Sequence, residues 1–135
     1  MAGTSSVFFT LAGTVVGGLI GFLSGYVLSR LNARREAGAE LRAAFAGEIA
    51  KVRLAHGADN SIDINNVLTE AFPRHAAAIE AYRFFVKPKD QAAYDKAWRD
   101  YYEVGGSVRF FDYYMDGASF ETFEKRVRAI FQFTK

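Results

Sequence analysis

The stretch VFFTLAGTVVGGLIGFLSGYVLS, Val7 to Ser29, decides how the rest of the chain is read. No Asp, Glu, Lys or Arg occurs from Met1 to Ser29, and Thr10, Thr14, Ser24 and Tyr26 are mild interruptions of an otherwise apolar run. At 1.5 Å per residue a helix over this run is roughly 35 Å long, enough to cross a hydrocarbon layer of about 30 Å. A helix that is apolar on every face belongs in a membrane or in the centre of a large protein. A cleaved secretory signal fits less well, because residues 1–6 carry no Lys or Arg and no A-x-A site closes the run. The run therefore reads as an uncleaved transmembrane helix over 7–29, preceded by a short non-cytoplasmic tail over 1–6.

Within it, Gly13, Gly17, Gly21 and Gly25 recur at every fourth residue, and Ser29 continues the row. Overlapping GxxxG units form a groove of small residues that lets two backbones approach closely, so the row predicts a homo-oligomer. Glycine is also simply frequent in membrane helices, which is the plainer account of the same residues. Arg30, Arg34 and Arg35 flank the carboxyl end of the run, while no Lys or Arg precedes it. By the positive-inside rule the amino terminus lies outside and the remainder is cytoplasmic, with these arginines beside lipid headgroups.

All the charged residues of the 135-residue chain lie beyond Ser29, and their sum is +2. Thirteen phenylalanines, seven tyrosines and one tryptophan supply material for a core. So balanced a charge makes nucleic acid an unlikely partner, and the absence of cysteine agrees with a reducing compartment. Residues 30–40 are rich in Ala, Arg and Glu and predict a helical linker, with Gly38 as a softening point. Leu41, Phe45, Ile49 and Val52 then mark an amphipathic helix over Ala39 to Ala55. Ser61 or Asp63 caps a helix running to Ala71, and Pro73 begins another as far as Lys87. Pro88 starts the next, which Gly105 and Gly106 end after Tyr102. Residues 108–116 suit a strand by their aromatic density, but with no second strand in view they are assigned to helix. Ser119 caps the last helix, whose apolar face is Phe120, Phe123, Val127, Ile130 and Phe131. The fold class is all-α: one amino-terminal transmembrane helix continuing into a small cytoplasmic bundle of about five further helices over 41–135.

Chemistry is sparse. His56 and His75 are the only histidines, and a metal site would need Asp59, Asp63 or Glu70 brought in by the fold. No G-x-S-x-G, phosphate-binding loop or H-x-x-x-H spacing occurs, so no enzyme and no cofactor is expected. Arg83, Lys87, Trp98 and Arg109 are the candidate contacts for a small anionic ligand such as a nucleotide, the cations holding phosphate and the indole stacking on a base. Large aromatics at helical spacing are also what a small bundle uses for its core.

The run of features from the apolar helix through LRAAFAGEIAKVR, HAAAIEAYRFFV and AYDKAWRDYY to a last amphipathic helix resembles small uncharacterised single-pass membrane proteins of proteobacteria. The resemblance covers most of the chain and implies a single-pass location in a bacterial inner membrane; its motifs are packing patterns and bring no functional residue with them. Two classes of function fit. One is a non-enzymatic anchored protein that self-associates through its glycines and presents the helical domain to a protein partner. The other is a ligand-gated membrane effector of the kind used in bacterial antiviral defence, its cytoplasmic domain sensing a nucleotide.

Overall fold

The computed structural model describes residues 2–57, 61–104, 106–108, 110 and 119–135, and the side chains of these except at 2–17, 104 and 119. The chain divides into two units, Met1–Ala33 and Arg34–Lys135. Helix α1 is Ala2–Gly57, α2 is Ile64–Arg83 and α3 is Gln91–Tyr102; a two-stranded hairpin follows, β1 Glu103–Val104 and β2 Ser107–Val108, and then α4, Ser119–Phe131. Single 3-10 turns, Pro88–Asp90 and Gln132–Thr134, precede α3 and follow α4. The class is all-α, with the hairpin as its one extended piece among the described residues.

In the first unit Leu19, Ile20, Phe22, Leu23, Tyr26, Val27, Leu28 and Leu31 are all exposed. Residues 7–17 of the expected span, with Gly13 and Gly17, lie outside the described side chains. Among the described residues no helix is long and apolar enough to cross a membrane.

In the second unit the helices run alternately up and down. Glu48 of α1 meets His75 of α2, while Tyr82, near the end of α2, reaches Phe133 beside the start of the same α1 segment. Leu41, Phe45 and Val52 of α1 pack with Leu68, Ile79 and Tyr82 of α2, Tyr94 and Tyr101 of α3, and Phe123, Val127 and Ile130 of α4. Each of these side chains contributes about 1.5–3 kcal/mol on burial before the cost of ordering the chain is subtracted.

Several expectations are corrected. Asp63 is the cap of α2, its carboxylate accepting from the Asn66 amide at 3.2 Å. The helix does not end at Ala71, however, and Pro73 lies inside it. Pro73 cannot donate to the Thr69 carbonyl one turn earlier, but both residues are on the exposed face, where water replaces that bond. One helix thus stands where two were expected, so α1, α2, α3 and α4 make the described bundle. Helix α2 also stops at Arg83, four residues before Lys87, in a turn closed by Phe85 N–H to the Tyr82 carbonyl and Val86 N–H to the Arg83 carbonyl.

The assignment of 108–116 to helix fails at its start. Val108 pairs with Glu103 and Ser107 with Val104, antiparallel, with Gly106 in the turn between them. Gly106 has φ +82°, a conformation that costs other residues energy and that such hairpin turns require. Phe110 is fully buried, while Arg109 and 111–118 lie outside the described residues, as does the side chain of the expected cap Ser119. Gly38 is buried under the carboxyl-terminal turn, and a Cβ there would meet Thr134 Cβ at 3.3 Å.

Candidate functional site

The described part of the apolar run has two kinds of surface. At about 100° per residue, its seven large apolar side chains, with Leu31 just beyond them, spread over an arc of about 240°, and Gly18, Gly21 and Gly25 fill the remaining sector. Nothing lies within 4 Å of a Cβ built on any of these three glycines. A strip of bare backbone thus runs beside bulky apolar residues. Of the arginines that follow, Arg30 donates to the Tyr26 hydroxyl at 3.3 Å, Arg34 approaches the Lys135 carbonyl at 3.5 Å, and Arg35 is exposed.

A second constellation is wholly interior. Phe45, Glu48 and Val52 lie on one stripe of α1, and Leu68, Ala71, His75 and Ile79 on one stripe of α2, so a carboxylate and an imidazole fall at core positions facing each other. Glu48 Oε2 lies 3.3 Å from His75 Nε2, both side chains being almost fully enclosed. The pair is near enough to bond but not aligned for it, so both atoms are left without a formal hydrogen bond. Arg74 reaches in from the surface to the other oxygen of Glu48. The Tyr101 hydroxyl lies 3.4 Å from His75 Nδ1, and the Phe45 ring stacks on the imidazole at 4.0 Å and 15°. Burial, and then the Arg74 charge, push the His75 pKa down to about 4 despite an opposing contribution from the Ala44 backbone. His75 is therefore neutral at pH 7, with one nitrogen free to donate toward Glu48 and the other to accept from Tyr101.

Carboxylate, imidazole and hydroxyl in this order form the sequence of a proton relay. Here the hydroxyl ends in the core: Tyr101 is 1% exposed, with Phe45, Phe110 and Phe123 against its ring. The cluster ties α1, α2 and α3 together. Sequence reasoning placed Ile49 on the core stripe of α1 in place of Glu48, and weighed His75 only as a metal ligand. The signal was present, since steps of three and four run through Glu48 from Phe45 and through His75 from Ala71.

The four candidate anion contacts do not form one described group. Arg83 pairs with Asp95 at 2.6 Å and approaches Glu80 at 3.8 Å. Trp98, one turn beyond Asp95 on α3, is stacked on Phe72 at 5.5 Å and lies beside Tyr101 at 5.6 Å. Lys87 is exposed beyond the end of α2, and Arg109 lies outside the described residues. A cleft of about 440 Å³ opens elsewhere, between α3 and α4, lined by Asp100, Glu103, Thr122, Lys125 and Arg126 with Ala97 and Ala129 at its floor. His56 Nδ1 lies 3.0 Å from the Val52 carbonyl, and among the described residues no three His, Asp or Glu side chains group to hold a metal ion.

No family model, curated protein or solved structure matches the chain.

Proposed function

We propose that the chain is a non-enzymatic, single-pass protein of a bacterial inner membrane, with its amino terminus outside, that self-associates through its glycine row and holds a helical cytoplasmic domain against a protein partner. The carrying observation is the contrast in exposure. Among the described residues eleven large apolar side chains stand exposed; eight fall between Leu19 and Leu31, and three, Leu54, Phe84 and Val108, in the second unit. In water such a sleeve would be driven into association at about 25 cal/mol per Å² of apolar area. A bilayer covers the bulky arc, and a second copy covers the glycine strip, where close backbone packing replaces the hydrophobic drive that lipid removes.

The ligand-gated effector is the second reading. It requires cations and an aromatic face converging on one pocket, and Arg83 and Trp98 are engaged with different neighbours. The cleft between α3 and α4 has the volume of a ligand site and two cations in its wall, but two carboxylates stand in the same wall.

The chain contains no cysteine, so single introduced thiols report cleanly. In native membranes, Gly21→Cys should form disulfide-linked dimers under mild oxidation, and Leu23→Cys, on the bulky arc, should not. Release of the protein by alkaline carbonate would remove the anchor. Equal cross-linking at both positions would remove the glycine interface.

A further inference from the structure

The end of the second unit that holds Arg34 carries more than the arginines of α1. Within this unit α1 runs from Arg34 to Gly57, α2 returns, and the chain turns at Phe84–Asp90 before α3 leads out again. Helix α4 returns last, so the Phe84–Asp90 corner and the carboxyl-terminal turn share one end of the bundle with Arg34–Arg42. Specific contacts hold this end together. Tyr82 donates to the Phe133 carbonyl at 2.7 Å, Phe133 lies edge-on to Tyr94 at 5.5 Å, and Arg42 donates to the Thr134 hydroxyl at 2.7 Å. Arg34, whose guanidinium approaches the Lys135 carbonyl at 3.5 Å, follows Ser29, the last residue of the apolar run, by only five residues.

Phe84 projects at this end. It is 78% exposed, the highest value of any large apolar side chain among the described residues, and its one described ring contact is edge-on to Phe85 at 5.4 Å. Lys87 and Lys89 stand exposed on either side of Pro88, just past it. With Arg34, Arg35 and Lys135 they make this end of the unit rich in cations; of its carboxylates, Asp90 is next to Lys89 in the chain, Asp95 and Glu80 engage Arg83, and Glu36 and Glu40 stand exposed on α1. An apolar ring among basic side chains fits a bilayer surface, where the ring enters the acyl boundary and the cations meet anionic headgroups.

We propose that this end of the domain docks on the bilayer: Phe84 inserts at the lipid interface and Lys87 and Lys89 bind anionic phospholipid headgroups, fixing the domain against the membrane that anchors α1. The inference rests on the anchored reading above. It names what Lys87 does, and it limits a partner to the sides and the far end of the bundle, where the hairpin and the α3–α4 cleft lie. An anionic surface is worth about fivefold in the docked fraction per lysine, so removing both lowers the ratio of docked to free domain about 25-fold.

The full chain, reconstituted in vesicles of phosphatidylcholine with or without phosphatidylglycerol, tests this with brominated lipids as quenchers of tryptophan. The parent has only Trp98, half-buried between Phe72 and Tyr101, as its background signal. Phe84→Trp should add emission that shallow bromines quench strongly in phosphatidylglycerol vesicles and weakly in phosphatidylcholine alone. Lys87→Gln with Lys89→Gln should abolish the difference, as should high salt. Phe22→Trp reports the anchor separately. Quenching at residue 22 without quenching at 84 overturns the docking and leaves the anchor standing. No quenching at residue 22 overturns the anchor and the docking with it. Quenching at 84 that ignores both lysines and lipid charge overturns the headgroup contacts. All three substituted side chains of the second unit are exposed, so the bundle itself is not disturbed.

Discussion

Acidification should loosen the bundle through one residue, His75. Its ordinary pKa of 6.5 falls to about 4 in the folded chain, so as pH drops through that window the unfolded state takes up a proton that the folded state refuses. The associated stability is fully present above about pH 6.5 and is lost progressively toward pH 4. For this gap the loss between about pH 7.5 and about pH 5 is about 2 kcal/mol. With a urea dependence of about 1.5 kcal/mol per M for a unit of this size, the midpoint should fall by about 1.3 M. The ionisable or polar groups around the ring are Glu48 from α1, Arg74 from α2 and Tyr101 from α3. Emission from Trp98, stacked on Phe72, reports unfolding of the Arg34–Lys135 unit. His75→Gln is the control, because its amide donates toward Glu48 and accepts from Tyr101 without titrating. That variant should be weaker at neutral pH, having lost the stack on Phe45, yet flat between about pH 7.5 and 5. An equal slope in wild type and variant, or a His75 ring resonance that titrates near 6.5, would refute the reasoning.

Other consequences are as direct. Gly17→Leu with Gly21→Leu should lower the mass of the detergent-solubilised oligomer in light scattering while leaving the circular dichroism of the domain unchanged; unchanged mass removes the glycine interface. Residues 34–135 alone should be soluble, helical and largely monomeric, and a strand-rich spectrum or aggregation would count against the bundle. Gly106→Ala should cost about 1 kcal/mol in chemical denaturation through its left-handed backbone, with no loss of helix signal. Gly38→Leu should displace the carboxyl-terminal turn from α1, seen as faster amide exchange over Gln132–Thr134 and a lower melting temperature. Tyr94→Phe removes the hydroxyl that donates to the Ile79 carbonyl at 2.7 Å, for about 1 kcal/mol. Because burial raises the Tyr94 pKa, the wild type should also lose stability above about pH 10, where only the unfolded chain ionises, and Tyr94→Phe should lose less.

Local chemistry made much of the bundle readable in advance. The Asp63 cap, the start at Pro88 and the stripe on α4 follow from side chains that act on their own backbone or repeat at helical spacing. The candidate ligand contacts were read from residue type alone. Type does not say that Asp95 is within reach of Arg83, or that Phe72 covers a face of Trp98.

What only the tertiary structure decided depends on distance between segments. Pro73 stays inside α2 because burial of Leu68, Ala71, His75 and Ile79 on the opposite face outweighs one backbone bond left to water. The strand at Ser107–Val108 exists because its partner is the tail of α3 across two glycines, a pairing hidden when the same glycines are read only as a helix stop. Glu48 and His75 could be placed on core stripes by spacing. That the two stripes face each other, enclosing the pair and making His75 hard to protonate, required the fold, because desolvation depends on every neighbour at once and sequence spacing records only those on the same helix.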